Sequence, residues 1–171
     1  MNDIQSPITA SKLWDFCLDL YSHKRIRELS LWFQDNAAIN VNFVLFLAYL
    51  NKNHLPINDV QISDHIEQIS ALDAKVDEFR QYRRSLKGKD ESSYQAALSQ
   101  ELEMEKEIQQ MLVNHYNQIF ETYRLSKTEI TIESFEVNLL RALDLNKGRQ
   151  LATSNSINAM VSEMAALMEQ N

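Results

Sequence analysis

Gly88, Gly148, Pro7 and Pro56 are the only glycines and prolines in this chain of 171 residues. A fold of many strands needs many tight turns, and tight turns need Gly, Pro or Asn-Gly pairs. Without them the chain must run in long helices with few, short connections. The expected fold is an all-α, single-domain helical bundle of about six to seven helices, including a long antiparallel helical hairpin.

Helical spacing of apolar residues places the elements. Ser6-Pro7 suits a helix opening, with proline at the first helical position, and a first helix runs from there to about Tyr21. A second covers about Lys24 to Gln34. A third, Val41 to about Asn53, is apolar nearly all round and is expected at the centre of the bundle. A fourth runs from about Ser63 to Lys87 and stops at Gly88 in a left-handed conformation. Asp90 opens a fifth of about 33 residues, and "SKTEITIE" is read as a loop. A sixth covers about Ser134 to Leu143. The reading divides the chain into a bundle (1–145), a polar linker (146–155) and a C-terminal amphipathic helix (156–171). The stripe Ile157, Met160, Val161, Met164, Leu167 and Met168 fits either packing on the bundle or docking to another chain. Trp14, Phe16 and Phe46 are expected in the core.

Net charge is -7, and most of it lies in the second half of the chain, where six basic residues face twelve acidic ones. Duplex binding depends on neutralising phosphates, so nucleic acid is an unsuitable partner. The single cysteine, Cys17, rules out an intramolecular disulfide and suits a reducing compartment. "MNDIQSPITASKLW" lacks the basic and apolar regions of a signal peptide. The longest apolar run, Phe43 to Leu50, is well short of the roughly twenty residues of a membrane span. A cytoplasmic protein is expected.

"LWDFCLDLY" (13–21), "LWFQDNAAINVNFVLFLAYL" (31–50), "FRQYRRSLK" (79–87) and "ELEMEKE" (101–107) occur in that order. Together they resemble a bacterial family of proteins of unknown function over about residues 13 to 112. That family's pattern is Leu-Trp-x-Phe, Leu-Gln-Asp, Val-Asn-x-Leu-Leu-Phe and Arg-Arg-x-Leu-Lys. The resemblance implies a cytoplasmic protein and brings no activity with it. The chain departs from the pattern at Ala38 (glycine in the family), Tyr49 (tryptophan) and Glu78 (proline). The last departure implies an unbroken fourth helix.

Several residues qualify as site candidates. Asn40 is positioned to cap the third helix. Asn42 lies in that helix's first turn, where its amide needs a partner, with Gln34 or a backbone group in reach. Trp14, Gln34, Asn42 and Tyr49 form a candidate polar core or pocket. Arg83, Arg84 and Lys87 form a candidate anion or partner patch. Arg80 is expected to pair with Glu101 across the hairpin, because folding back near residue 89 brings it within about 4.5 Å of rise of that carboxylate. A di-metal bundle site needs Glu-x-x-His pairs, and His23, His54, His65 and His115 have no glutamate three residues before them. Phosphate-loop and Ser-His-Asp patterns are missing too. No cofactor or metal is expected. The first functional reading is a non-enzymatic protein acting through protein–protein or regulatory contacts, self-association included. The alternative is a bundle, or an enzyme, with a small-molecule pocket near Trp14, Gln34 and Asn42.

Overall fold

The described residues, 8–126, 131–146 and 150–171 of a computed structural model, hold seven α-helices and no strand; nothing is stated of the side chains of Tyr123 and Arg124. The helices are α1 (Ala10–Ser22), α2 (Lys24–Ala37), α3 (Val41–Lys52), α4 (Asp59–Leu86), α5 (Glu91–Ser126), α6 (Phe135–Leu145) and α7 (Ser154–Gln170). The chain is all-α, and the long α4 and α5 pack as an antiparallel hairpin.

Side-chain caps account for most of the boundaries. Thr9 accepts from the Lys12 amide and opens α1, while the Ser6-Pro7 opening falls outside the described residues. The Ile8 segment ahead of it is clamped to α5 by a reciprocal pair: Ile8 N–H donates to Asn117 Oδ1 (3.0 Å) and Asn117 Nδ2 donates to the Ile8 carbonyl (2.8 Å). α2 continues past Gln34 to Ala37 and ends on Ala38 in the left-handed region, φ 52°, where the resembled pattern has glycine. α3 ends in a Schellman arrangement. Leu55 N–H donates to the Leu50 carbonyl and His54 N–H to the Asn51 carbonyl, with His54 at φ 53°.

α4 begins at Asp59, four residues before the expected Ser63. Asn58 and Gln61 form a reciprocal capping box, an N-x-x-Q signature that was present in the sequence. The helix passes unbroken through Glu78. Gly88, at φ 75°, turns the chain into α5, whose first turn is held by Asp90 accepting from the Ser93 amide at 3.0 Å. At the later joints, residues 127–130 of the expected loop and 147–149 of the expected linker lie outside the described residues. Both the Leu151 and Ala152 amides donate to the Asn36 carbonyl at the end of α2.

The core is organised around α3. Every residue from Asn42 to Leu50 is buried, as its all-round apolar surface requires. Phe43 and Phe46 face an aromatic layer with His65, Tyr116 and, beyond it, Phe120. Ile157, Val161 and Met164 of α7 enter the same core, and α7 packs on α2 and α6. Arg25 of α2 holds Glu163 of α7 through two nitrogens. Phe46 is fully buried as expected, but Trp14 and Phe16 are only half-buried. Leu13, Cys17 and Leu20 carry the inner face of α1 instead, so the Trp14 ring falls to the edge of that stripe, where Lys106 lies over it at 5.4 Å.

His65 was not singled out by its sequence context, yet it is fully buried, with its ring 4.5 Å from that of His115. Burial pushes the His65 pKa down from 6.5 to about 4, partly opposed by the bond between its Nδ1 and the Gln61 carbonyl.

Two predictions follow from this packing. Phe46→Ala is expected to cost about 3–5 kcal/mol, and Trp14→Ala only about 1 kcal/mol, because a half-buried ring leaves little cavity. Urea midpoints of the two variants measure the contrast. For His65, the folded chain holds the ring neutral, whereas in the unfolded chain it titrates near 6.5. Its contribution to stability is complete above that pH, falls as the pH drops from 6.5 to 4, and is flat below. The full loss is about 3 kcal/mol. Urea titrations at pH 7.5 and 4 are expected to show wild type losing that much more than His65→Leu.

Candidate functional site

A cleft of about 430 Å³ opens where α1, α2 and the start of α3 meet the α4–α5 hairpin. It is built from residues distant in sequence. Trp14, Gln34 and Asn42, read from sequence with Tyr49 as a polar core or pocket, line it together with Arg83 and Arg84 from the basic patch. Tyr49 does not line it. Two turns along α3 from Asn42, its ring packs edge-on against Phe16 at 5.3 Å. Lys87 is exposed at the end of α4 and lies off the cleft.

The inner wall is an amide pair. Gln109 Nε2 donates to Asn42 Oδ1 at 2.9 Å in a buried contact between α5 and α3. Neither of the partners in reach by sequence, Gln34 or a backbone group, takes this contact. Gln109 was missed because its stripe on α5, continuing from Glu101 and Glu105 at four-residue spacing, points inward only once the hairpin has closed. Asn40 makes its expected cap, accepting from the Phe43 amide at 3.2 Å, and also donates to Asp73 of α4 at 2.6 Å. Cys17, beside Gln109, is held as a neutral thiol. Burial pushes its pKa up to about 12, against a smaller lowering by the Gln109 amide.

The hairpin wall is an ion cluster. Arg80 donates through Nε to Glu101 (3.2 Å), through one terminal nitrogen to Asp77 (2.6 Å) and through the other to Glu105 (3.2 Å). Arg83 belongs to the expected anion or partner patch. It forks onto Glu101 as well and also donates to the Tyr94 hydroxyl at 3.1 Å, its guanidinium lying over that ring. Glu101 is nearly buried, so two guanidiniums on one carboxylate supply the hydrogen bonds that a buried charge requires. Burial works against the Arg80 charge, and Glu105, Asp77 and Glu101 more than restore it. Glu105 is lifted above the usual carboxylate range by burial, with Arg80 pulling the other way. Arg84, one residue on, is exposed and forms no ion pair among the described residues.

The mouth is apolar. Leu18 of α1, Leu31 of α2 and Leu102 of α5 are 54%, 41% and 43% exposed, and all three line this one cleft. Three large aliphatic side chains from three helices, left partly open around a single concavity, mark a contact surface more than scattered exposure does. Among the described residues no cluster of three His, Cys, Asp or Glu groups is placed to hold a metal ion, and no helix is long and apolar enough to cross a membrane.

Glu101→Gln is expected to destabilise the fold by about 2 kcal/mol. That is less than the 3–5 kcal/mol of an isolated buried pair, because Arg80 keeps Asp77 and Glu105. Arg84→Ala is expected to stay within about 0.5 kcal/mol of wild type. Urea denaturation of both variants checks the division, and an unfolded Arg84→Ala beside an unaffected Glu101→Gln would reverse it.

No curated protein and no solved structure matches the chain. Residues 12–112 match a family described as "Protein of unknown function (DUF2390)". That stretch runs from α1 into α5 and carries every residue that lines the cleft, so the chain belongs to this family of proteins of unknown function.

Proposed function

We propose that this protein acts by binding a small organic molecule in the cleft between α1, α2, α3 and the α4–α5 hairpin. One observation carries the reading: three exposed leucines from three helices surround a concavity whose wall also holds polar side chains with no partner among the described residues. The volume of about 430 Å³ falls in the roughly 300–1,000 Å³ range of small-molecule sites, and an apolar surface with a few convergent polar groups is their usual composition. The groups that would otherwise suit catalysis are committed elsewhere. The Cys17 thiol is kept protonated by burial, and Glu101 is engaged by two arginines. The reading is therefore of a non-enzymatic binding protein, and the lone buried Cys17 supports a reducing, cytoplasmic setting.

A second reading, a protein partner or self-association on the same face, has its own support. The apolar mouth continues along α5 from Leu102 to Leu98, one turn away and 41% exposed. The apolar stripe of α7 is a weaker docking element, since it already packs on α2 and α6.

Ligand-observed NMR with a library of amphipathic fragments separates the two. Binding that disappears in Leu31→Asp, with the melting temperature held, is the expected result. Fragments that bind Leu31→Asp and wild type alike would remove the cleft from consideration. A mass by light scattering that rises with concentration and falls back in Leu98→Asp would favour the second reading.

A further inference from the structure

We propose that the molecule taken up by the cleft is an amphipathic monoanion: a carboxylate head met by Arg84, on an apolar body lying against Leu18, Leu31 and Leu102. The proposal rests on the small-molecule reading above and narrows it to a chemical class.

Sorting the polar lining by what is already bound gives the head group. All three nitrogen positions of Arg80 are taken by Glu101, Asp77 and Glu105. Arg83 is taken by Glu101 and Tyr94. Asn42 and Gln109 are joined to each other. Besides the acceptor Gln109 Oε1, which is buried without a partner, four lining groups are left whose hydrogen-bonding atoms have none among the described residues: the Trp14 indole N–H, the Tyr21 hydroxyl, the Gln34 amide and the Arg84 guanidinium. Guanidinium and indole only donate, and the hydroxyl and the amide each have a donor to give. The free capacity of the cleft is thus mainly donor capacity, with one full positive charge in it. A ligand head rich in acceptors and carrying one negative charge answers that set.

The charges lining the cleft agree. Arg80 and Arg83 are held by Glu101, Glu105 and, just outside the lining, Asp77, so the cluster is balanced as a whole and Arg84 is the lining cation that has no carboxylate of its own among the described residues. A cationic ligand would meet Arg84 unshielded and would have to draw Glu101 or Glu105 away from arginines that hold them in a largely dehydrated setting, where breaking a pair is costly. A neutral apolar ligand would satisfy the leucines and leave four polar groups to lose water without replacement. A carboxylate is planar and accepts a two-point contact from guanidinium, which matches the group that is free.

The test is isothermal titration of the full chain with octanoate, octan-1-ol and octylammonium, which share an apolar body and differ in head charge. Octanoate is expected to bind with one site per chain, at least tenfold more tightly than octanol and with octylammonium undetected. Arg84→Ala is expected to weaken octanoate tenfold or more, with Arg84→Lys recovering part of the loss, and to leave octanol unchanged. Melting temperatures equal to wild type show that the variants are folded. Octanol or octylammonium binding as tightly as octanoate, or octanoate indifferent to Arg84→Ala, would overturn the acid. If octanol then still binds and loses its site in Leu31→Asp, the cleft reading survives without the acid. If none of the three binds, both are overturned.

Discussion

Burying α3 is the constraint on which the rest depends. A helix that is apolar on every face cannot sit at a surface, so α1, α2, α5 and α6 must all enclose it. Its length is fixed at both ends by local chemistry: the Asn40 cap, and the left-handed His54 that closes the Schellman turn. What its apolar surface cannot supply is a polar contact to orient its neighbours. The two amides at its first turn do that. Asn40 reaches Asp73 on α4 and Asn42 reaches Gln109 on α5, so the long hairpin is fixed against the start of α3 in one register.

The cleft is a consequence of that arrangement. It forms at the polar end of α3, where the aliphatic packing gives way to amides and ions. The arginine–glutamate cluster that closes the hairpin is also one of its walls. Fold and site therefore share Arg80, Arg83 and Glu101, and a change at any of them alters both. Arg84, Gln34 and Leu31 face the same cleft without the same structural duty: Arg84 and Leu31 are exposed, and Gln34 makes no hydrogen bond among the described residues. This makes the surface separable from the framework by experiment.

Much of the bundle was legible from local rules. Scarce glycine and proline excluded a turn-rich fold, Gly88 marked the hairpin, and Asn40 announced its cap. The start of α4 was also written in the chain, as Asn58 and Gln61, and was missed because the apolar spacing becomes clear only after Ser63. Trp14 was misread for a different reason. A large ring on an amphipathic helix suggests burial, but whether it faces inward depends on a rotation of a fraction of a turn, which Leu13, Cys17 and Leu20 decide by packing better.

The sequence by itself determined the class of fold, the helix boundaries set by caps and turns, and the pairing of Arg80 with Glu101, all of which follow from neighbours within one helix or one hairpin. Only the tertiary structure decided that Asn42 meets Gln109, that Arg83 joins Arg80 on one carboxylate, that Tyr49 turns away from the cleft, and that Leu18, Leu31 and Leu102 share one mouth. Apart from the Arg83 contact, which lies within the hairpin, those contacts join helices far apart in the chain. The rotation of each helix about its axis selects them, and that rotation is fixed by packing α1, α2, α5 and α6 against α3 at once rather than by any local pattern.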